Sequence, residues 1–195
     1  MHPTPLWMDN KLCDRDRSIM HVPDEIRPLI LDTFLYHAAY GQFATVNQSS
    51  IPSVRTVHFH FIPDRDQLVV STNLKSEKCT HIQHNPFVSG CYWYQQKGVQ
   101  IRFQATASII SENDVVKDPL LETMWNKMRT EVRLAYALND HQIPMYRENV
   151  NADTAIHSPN HALIVCTPLR WDVFYENPSQ YRMGKRAIYT QNFEN

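Results

Sequence analysis

Glycine is scarce in this chain. There are four in 195 residues, Gly41, Gly90, Gly98 and Gly184, and none lies close enough to another for a G-x-G-x-x-G turn or a Walker loop. A Rossmann dinucleotide site and a P-loop are thereby excluded, so any nucleotide must be held by strand side chains and hydroxyls. Cysteine is equally rare: Cys13, Cys79, Cys91 and Cys166 form no C-x-x-C pair and no zinc spacing. Reduced, mostly structural thiols in a cytoplasmic protein are the expectation. Charge of one sign is missing too, since 19 Lys and Arg stand against 20 Asp and Glu. That balance offers no basic surface for nucleic acid or for an anionic membrane. No apolar run approaches the roughly 18 residues of a membrane span. Met1 to Arg17 is polar and contains proline, without the apolar segment of a signal peptide. The chain is expected to be soluble and unexported, of a length suited to one domain with a real core.

What is present is alternation. From Ser53 to Phe61 the odd positions end in Val57, Phe59 and Phe61 while the even positions carry Thr56, His58 and His60; period two over that length predicts a strand. A turn at Pro63-Asp64-Arg65-Asp66 leads to a strand from Gln67, then to a short polar helix from Ser76 to His84. His84-Asn85-Pro86 ends that helix, because the residue before proline is pushed out of the α region. Phe87 to Tyr94 is apolar on both faces, as a covered central strand would be. From Val99 to Ile109 apolar and polar residues alternate without a break, which suits an antiparallel sheet or barrel with one face packed and one polar face open to a ligand.

The flanks are read in the same way. Met1 to Pro23 is an irregular arm, and residues 24–195 are read as one domain. Ile26, Leu29, Ile30, Phe34 and Ala38 recur at helical spacing, which predicts a helix over Asp24 to Tyr40, capped by Asp24 and stopped by Gly41. A first strand is expected over Phe43 to Asn47, with Gln48 to Pro52 as the hairpin turn. Ser111-Glu112-Asn113-Asp114 resembles a capping box. Asp118-Pro119 offers an N-cap and a proline at the first helical position for a long helix over about 115–138, whose stripe is Leu121, Met124, Trp125, Met128, Val132 and Ala135. Residues 139–160 read as a loop. Three closing strands are expected at His161 to Thr167, Trp171 to Glu176 and Tyr181 to Tyr189. The fold class is mainly β with α additions, a barrel flanked by helices.

Chemistry-bearing residues fall in groups. Arg55 begins its strand on the side of Val57 and Phe59, while Ser71, Thr72, Ser76 and Lys78 cluster where the next strand meets a helix. Two cations with hydroxyls between them, beside a helix N-terminus, suit a phosphate dianion; on these residues alone a solvated, salt-bridged surface remains the alternative. His58 and His60 project to one face of a strand, a geometry that metal sites use, with His81 and His84 nearby. No carboxylate or cysteine completes a diagnostic ligand spacing, and polar-face or ligand-facing histidines are the reading adopted. No serine or cysteine sits in a nucleophile motif.

The ordered set Pro-x-x-Arg-Thr-Val-x-Phe, Ser-Thr-Asn-x-x-Ser-x-Lys, His-Asn-Pro and Gln-x-Arg-Phe, spread over Ala38 to Ile110, resembles the pyridoxamine 5'-phosphate oxidase-like family of FMN-binding split barrels. The resemblance implies a split β-barrel that binds FMN, usually a homodimer with the cofactor at the subunit interface. By it, Arg55, Lys78, Thr72 and Ser76 meet the phosphate together with Ser71, the backbone of Thr56, Val57 and His58 lines the ring, and Gln100 hydrogen-bonds the cofactor. Near the C-terminus Arg186 would approach FMN, Arg182 and His60 the substrate, and Tyr175 would take the place of an aromatic beside the flavin. The sequence also departs from the family: a basic residue is His60 here, another is Glu77, and a histidine and an aspartate between the two arginines are Gly184 and Lys185. The implied activity is FMN-dependent oxidoreduction of a small molecule. The alternative is a flavin-binding carrier, sensor or scavenger without turnover, since one fold hosts both.

Overall fold

Alternation along residues 53–61 does what period two demands. In the computed structural model, which describes residues 20–35, 39–114, 118–137, 157–176 and 184–191, strand β2 runs from Pro52 to Ile62 and turns Val57, Phe59 and Phe61 inward at 8%, 0% and 1% exposure. Before it come helix α1 (Arg27–Phe34) and strand β1 (Ala39–Val46); after it come β3 (Gln67–Asn73), helix α2 (Glu77–His84), β4 (Phe87–Tyr94) and β5 (Val99–Ser111). Helices α3 (Pro119–Lys127) and α4 (Thr130–Ala137) precede β6 (His161–Tyr175) and β7 (Lys185–Thr190).

The sheet order is β3-β2-β1-β4-β5-β6-β7, every pair is antiparallel, and β3 pairs with β6 as well. Six strands therefore close into a barrel with β7 outside the closure. The barrel is split because β6 spends one edge twice. Its first half pairs with β3, from Asn73↔His161 to Leu68↔Cys166, and its second half pairs with β7, from Arg170↔Thr190 to Tyr175↔Lys185. The interior holds Phe43, Phe59, Phe103 and Trp171, joined by Ile30 and Phe34 of α1 and by Ile26 just before it. Phe59 meets Phe34, Phe43 and Phe103 edge to face, at centroid separations of 6.1, 6.0 and 5.4 Å, an arrangement that adds ring electrostatics to burial. A second apolar layer places Leu120, Leu121 and Met124 of α3 over Val69, Leu163 and Val165. None of the described helices is long and apolar enough to cross a membrane.

Several boundaries differ from the sequence expectation, each for a local reason. Helix α1 starts at Arg27, with the Pro23 carbonyl accepting from Ile26 and Arg27, so Asp24 is not its cap. It ends by Phe34, and residues 36–38, with His37 and Ala38, lie outside the described set. Tyr40 and Gly41 belong to β1. A Cβ on Gly41 would lie 2.7 Å from the Cys91 carbonyl oxygen, so this glycine admits a neighbouring strand and does not stop a helix. The long helix expected over 115–138 is broken at Met128, which is extended (φ −76°, ψ 145°). Arg133 reaches back to donate to the carbonyls of Trp125 (3.0 Å) and Asn126 (2.9 Å), satisfying acceptors that the break exposes. Consequently Leu121, Met124 and Trp125 are buried while Val132 is 39% exposed. Asp118 caps α3 as expected, accepting from the Leu120 N–H at 2.9 Å. Asp114 instead accepts from the Ser111 N–H across a turn, without a helix.

The expected closing strands 161–167 and 171–176 are one strand. Gln104 faces Arg170 and Ala105 faces Pro168, so Leu169 is the extra residue of a bulge, and Pro168 sits beside a ladder position already interrupted. The turn between β2 and β3 is tied to α1 through Asp66. Only 5% exposed, Asp66 accepts from Arg27 (2.6 Å), His21 (2.9 Å) and the Val22 N–H (3.3 Å). Residues 1–19, 138–156 and 181–183 lie outside the described set, and with them most of the 139–160 loop and Arg182.

Gly90 yields a stability test. A Cβ there would fall 2.2 Å from the ring of buried Phe103. Gly90→Ala should therefore destabilise the barrel by about 1–3 kcal/mol through overpacking, read as a lower midpoint in urea unfolding; an unchanged midpoint would show that the ring has room to yield.

Candidate functional site

Arg55 stands at the end of the barrel that α2 covers, where the inward parity of β2 reaches the rim. Its Nη1 donates to Thr45 Oγ1 (2.7 Å), the Ser53 carbonyl (3.0 Å) and the Phe43 carbonyl (3.2 Å), and its Nη2 donates to Ser53 Oγ (2.8 Å). Thr45 in turn shares a 2.9 Å hydrogen bond with Nδ1 of buried His81 on α2. On the first turn of the same helix, Lys78 donates to Thr72 Oγ1 at 2.9 Å, and Thr72 and Ser76 hydroxyls lie 3.2 Å apart. Ser76 precedes α2 in an extended conformation and makes no side-chain cap bond, so the first helical N–H groups keep their donor capacity. A turn positions it: the Asn73 side chain accepts from the Lys75 N–H and the Asn73 carbonyl from the Ser76 N–H.

The electrostatics of this cluster are unfavourable as they stand. Burial holds the Lys78 ammonium below its ordinary value, against the raising effect of Cys79 and Glu77, and Arg55 lowers it further. Arg55 is lowered chiefly by burial, with Glu77 acting the other way. Neither cation has a carboxylate at salt-bridge distance among the described residues. Two cations and two hydroxyls converge with Glu77 as a nearby acid that pairs with neither cation, an arrangement that suits an anion.

The remaining predicted residues divide between two faces. Ser71 is turned away from Thr72: it pairs with Leu163, which belongs to the layer under α3, and its buried Oγ has no hydrogen-bond partner among the described residues. Strand alternation forbids both hydroxyls from joining one cluster. Thr56, His58 and His60 lie on the outer face of β2, and the Val57 side chain is buried, so only its backbone is available there. The His58 ring stacks on Tyr40 (4.7 Å, 19°) and stands 4.1 Å from the His60 ring. His58 is lowered by burial. His60 is pushed down to about 4 by burial, then by His58 and Lys127. His81 points to Thr45 and so does not join them.

Far round the sheet, Gln100, Phe174 and Arg186 form one cross-strand row over β5, β6 and β7. Tyr175 is one residue out of step: it packs against the main core, and Phe174 is the aromatic on the face of Gln100 and Arg186. Gly184 accommodates it, since a Cβ there would fall 2.2 Å from the Phe174 ring. Arg186 is exposed and donates to Asp172 through Nε (2.9 Å) and Nη2 (2.5 Å), and Arg102 donates to the same carboxylate at 2.6 Å. The Arg186 bond is the first cause of the lowered Asp172 carboxyl. Sequence reasoning missed Thr45, Asp172 and Phe174, and it considered His81 only beside His58 and His60 in the metal alternative. An acid inside the apolar run Trp171-Asp172-Val173-Phe174 was the one available signal, because a buried carboxylate requires partners.

Residues 30–111 match the family model described as pyridoxamine 5'-phosphate oxidase, FMN-binding domain. Pyridoxine/pyridoxamine 5'-phosphate oxidase 2 of Arabidopsis thaliana is 31% identical over 108 residues, 54% of this chain and 54% of that protein. The chain thus spans about half the length, or less, of the curated relatives it matches. A pyridoxamine 5'-phosphate oxidase-related, FMN binding protein from Nostoc punctiforme PCC 73102 superposes with TM-score 0.75 at 26% identity, covering 89% of this chain and 94% of that one. PhzG from Burkholderia lata 383, in complex with tetrahydrophenazine-1-carboxylic acid, superposes with TM-score 0.65 at 16% identity, covering 88% and 85%. At that identity the likeness shows the fold, a split barrel.

The low value at His60 is directly measurable. A histidine depressed in the folded state favours folding above its unfolded value near 6.5, and that contribution is lost as pH falls toward about 4. An imidazole NMR titration should find His60 uncharged at pH 6 with its midpoint near 4; a midpoint near 6.5 would place the ring in open solvent.

Proposed function

Because the chain resembles the pyridoxamine 5'-phosphate oxidase-like family of FMN-binding split barrels, in sequence over residues 30–111 and in fold over most of its length, we propose that it binds FMN and works as an FMN-dependent oxidoreductase on a small molecule. The observation that carries this reading is the barrel-end cluster. Arg55, Lys78, Thr72 and Ser76 supply cations and hydroxyls around one point, without a paired carboxylate, beside the open N-terminus of α2. That donor set fits a phosphate monoester, and an anion would relieve the mutual repulsion of the two cations. The backbone of Thr56, Val57 and His58 offers the next donors along β2, and His60, uncharged at neutral pH, faces the same outer side. Bound flavin supplies hydride or electron transfer, while the chain supplies orientation and access.

A homodimer completes the site in this proposal. Arg55 stands on the inward parity of β2 at the barrel rim, whereas Arg186 stands on the outer face of β7, three strand steps away through the β3–β6 pairing, so the two do not meet on one face of one chain. The outer face between them exposes Tyr40, Val54, Phe87, Trp93 and Ile188 at 43–63%, an apolar surface suited to a second copy. That copy would bring Gln100, Phe174 and Arg186 toward the first copy's β2. Cys79, Cys91 and Cys166 are unpaired, which suits a reducing compartment and hence the cytoplasm.

The purified protein is expected to be yellow, to release FMN on denaturation and to sediment as a dimer. Arg55→Ala or Lys78→Ala should weaken FMN binding by roughly 1.5–3 kcal/mol, the scale of a charge-assisted hydrogen bond, in a fluorescence titration; unchanged affinity in both variants would remove the phosphate assignment. Flavin reduction or reoxidation by supplied small molecules separates an oxidoreductase from a carrier that holds flavin without turnover.

A further inference from the structure

The barrel-end cluster carries an acid at its mouth. Glu77 is the first residue of α2, between Ser76 and Lys78, and its side chain is 76% exposed. Among the described residues its one ion-pair partner is Nε2 of buried His81, one turn further along the helix, at 3.7 Å. That separation is too long for a hydrogen bond. The carboxylate nevertheless acts on both cations of the cluster: burial lowers Arg55 and Lys78, and Glu77 works against it at each.

Where this acid stands decides what it does. Ser76 makes no side-chain cap bond, so the open N–H groups of the first turn and the two cations add up to one positive field at the start of α2. An acid at the first helical position already answers that field. A phosphate arriving there meets the same donors and finds a like charge beside it. Glu77 therefore favours α2 with the site empty and repels the group that would fill it. His81 lies on the far side, tied through Thr45 (2.9 Å) to Arg55 (2.7 Å), and the gap before it gives the exposed carboxylate a place to turn when an anion takes the helix end.

We propose that Glu77 is an affinity-limiting residue of this site: its carboxylate competes with a phosphate for the end of α2, so the chain holds a phosphorylated ligand less tightly, and exchanges it faster, than Arg55 and Lys78 alone would. The proposal rests on the phosphate assignment made for Arg55, Lys78, Thr72 and Ser76. It uses neither the outer face of the sheet nor the arginines around Asp172.

The test is calorimetric titration of the full chain with FMN, with riboflavin, which has the same ring without the phosphate, and with inorganic phosphate, each at low and high salt. Glu77→Gln should tighten FMN about threefold, the scale of one solvent-exposed charge contact, and slow its release in stopped flow. The gain should shrink at high salt. Riboflavin should be unaffected, Glu77→Asp should keep the wild-type affinity, and Glu131→Gln, which removes the same charge on α4, should change nothing. A role confined to helix stability has the opposite sign, because losing an acid from the first turn weakens α2. FMN affinity that is unchanged or lower in Glu77→Gln would overturn the proposal, and so would an equal gain for riboflavin or in Glu131→Gln; weaker FMN binding in Arg55→Ala would then leave the flavin reading standing without it. If no flavin binds, inorganic phosphate decides. Tightening by Glu77→Gln upholds the competition and counts against the flavin reading alone, whereas phosphate binding in neither form overturns both.

Discussion

The pairing of β3 with the first half of β6 is the constraint from which the rest follows. Six register pairs, Leu68↔Cys166 through Asn73↔His161, join segments about ninety residues apart and close the sheet on itself. Closure removes the exposed edges that a flat sheet would present and encloses the aromatic interior around Phe59. It also ends β3 at the rim, where Thr72 on the inward parity and the following turn deliver Lys78 to the neighbourhood of Arg55. A sheet left open there would leave those two cations in separate solvent shells.

Electrostatics divides the molecule into two regimes. At the barrel end the cations Arg55 and Lys78 face hydroxyls and carbonyls, and burial lowers both, with Glu77 compensating only in part. On the outer face the cations Arg102 and Arg186 share one buried acid. The same residue type serves opposite purposes. Arg55 is poised because no carboxylate pairs with it, whereas Arg102 and Arg186 are oriented because Asp172 pairs with both.

Much of the strand content was legible because alternation reports burial directly. β4 was predicted with its observed limits, β2 began one residue before the expected start, and β3 and β5 also began where turn residues gave way to alternating ones. Helix limits were less legible. The apolar spacing of α1 ran on into Ala38, and only the pairing of β1 with β2 and β4 shows that Tyr40 and Gly41 are strand. The break between α3 and α4 depends on Arg133 reaching carbonyls seven and eight residues back, an interaction that no propensity encodes. Pro168 looked like a boundary, yet a bulge opposite Gln104 and Ala105 absorbs it.

The sequence by itself determined which residues alternate, hence the inward set Val57, Phe59, Phe61, Ile101 and Phe103, and it determined the ordered motif that puts Arg55, Thr72, Ser76 and Lys78 in one reading. It did so because side-chain parity and local turns act over a few residues. Tertiary structure alone decided that Ser71 leaves that cluster for the layer under α3, that Phe174 and not Tyr175 stands with Gln100 and Arg186, and that Asp172 gathers Arg102 and Arg186. Those outcomes depend on which strands become neighbours and in what register, and a one-residue shift of register exchanges the two faces of a strand.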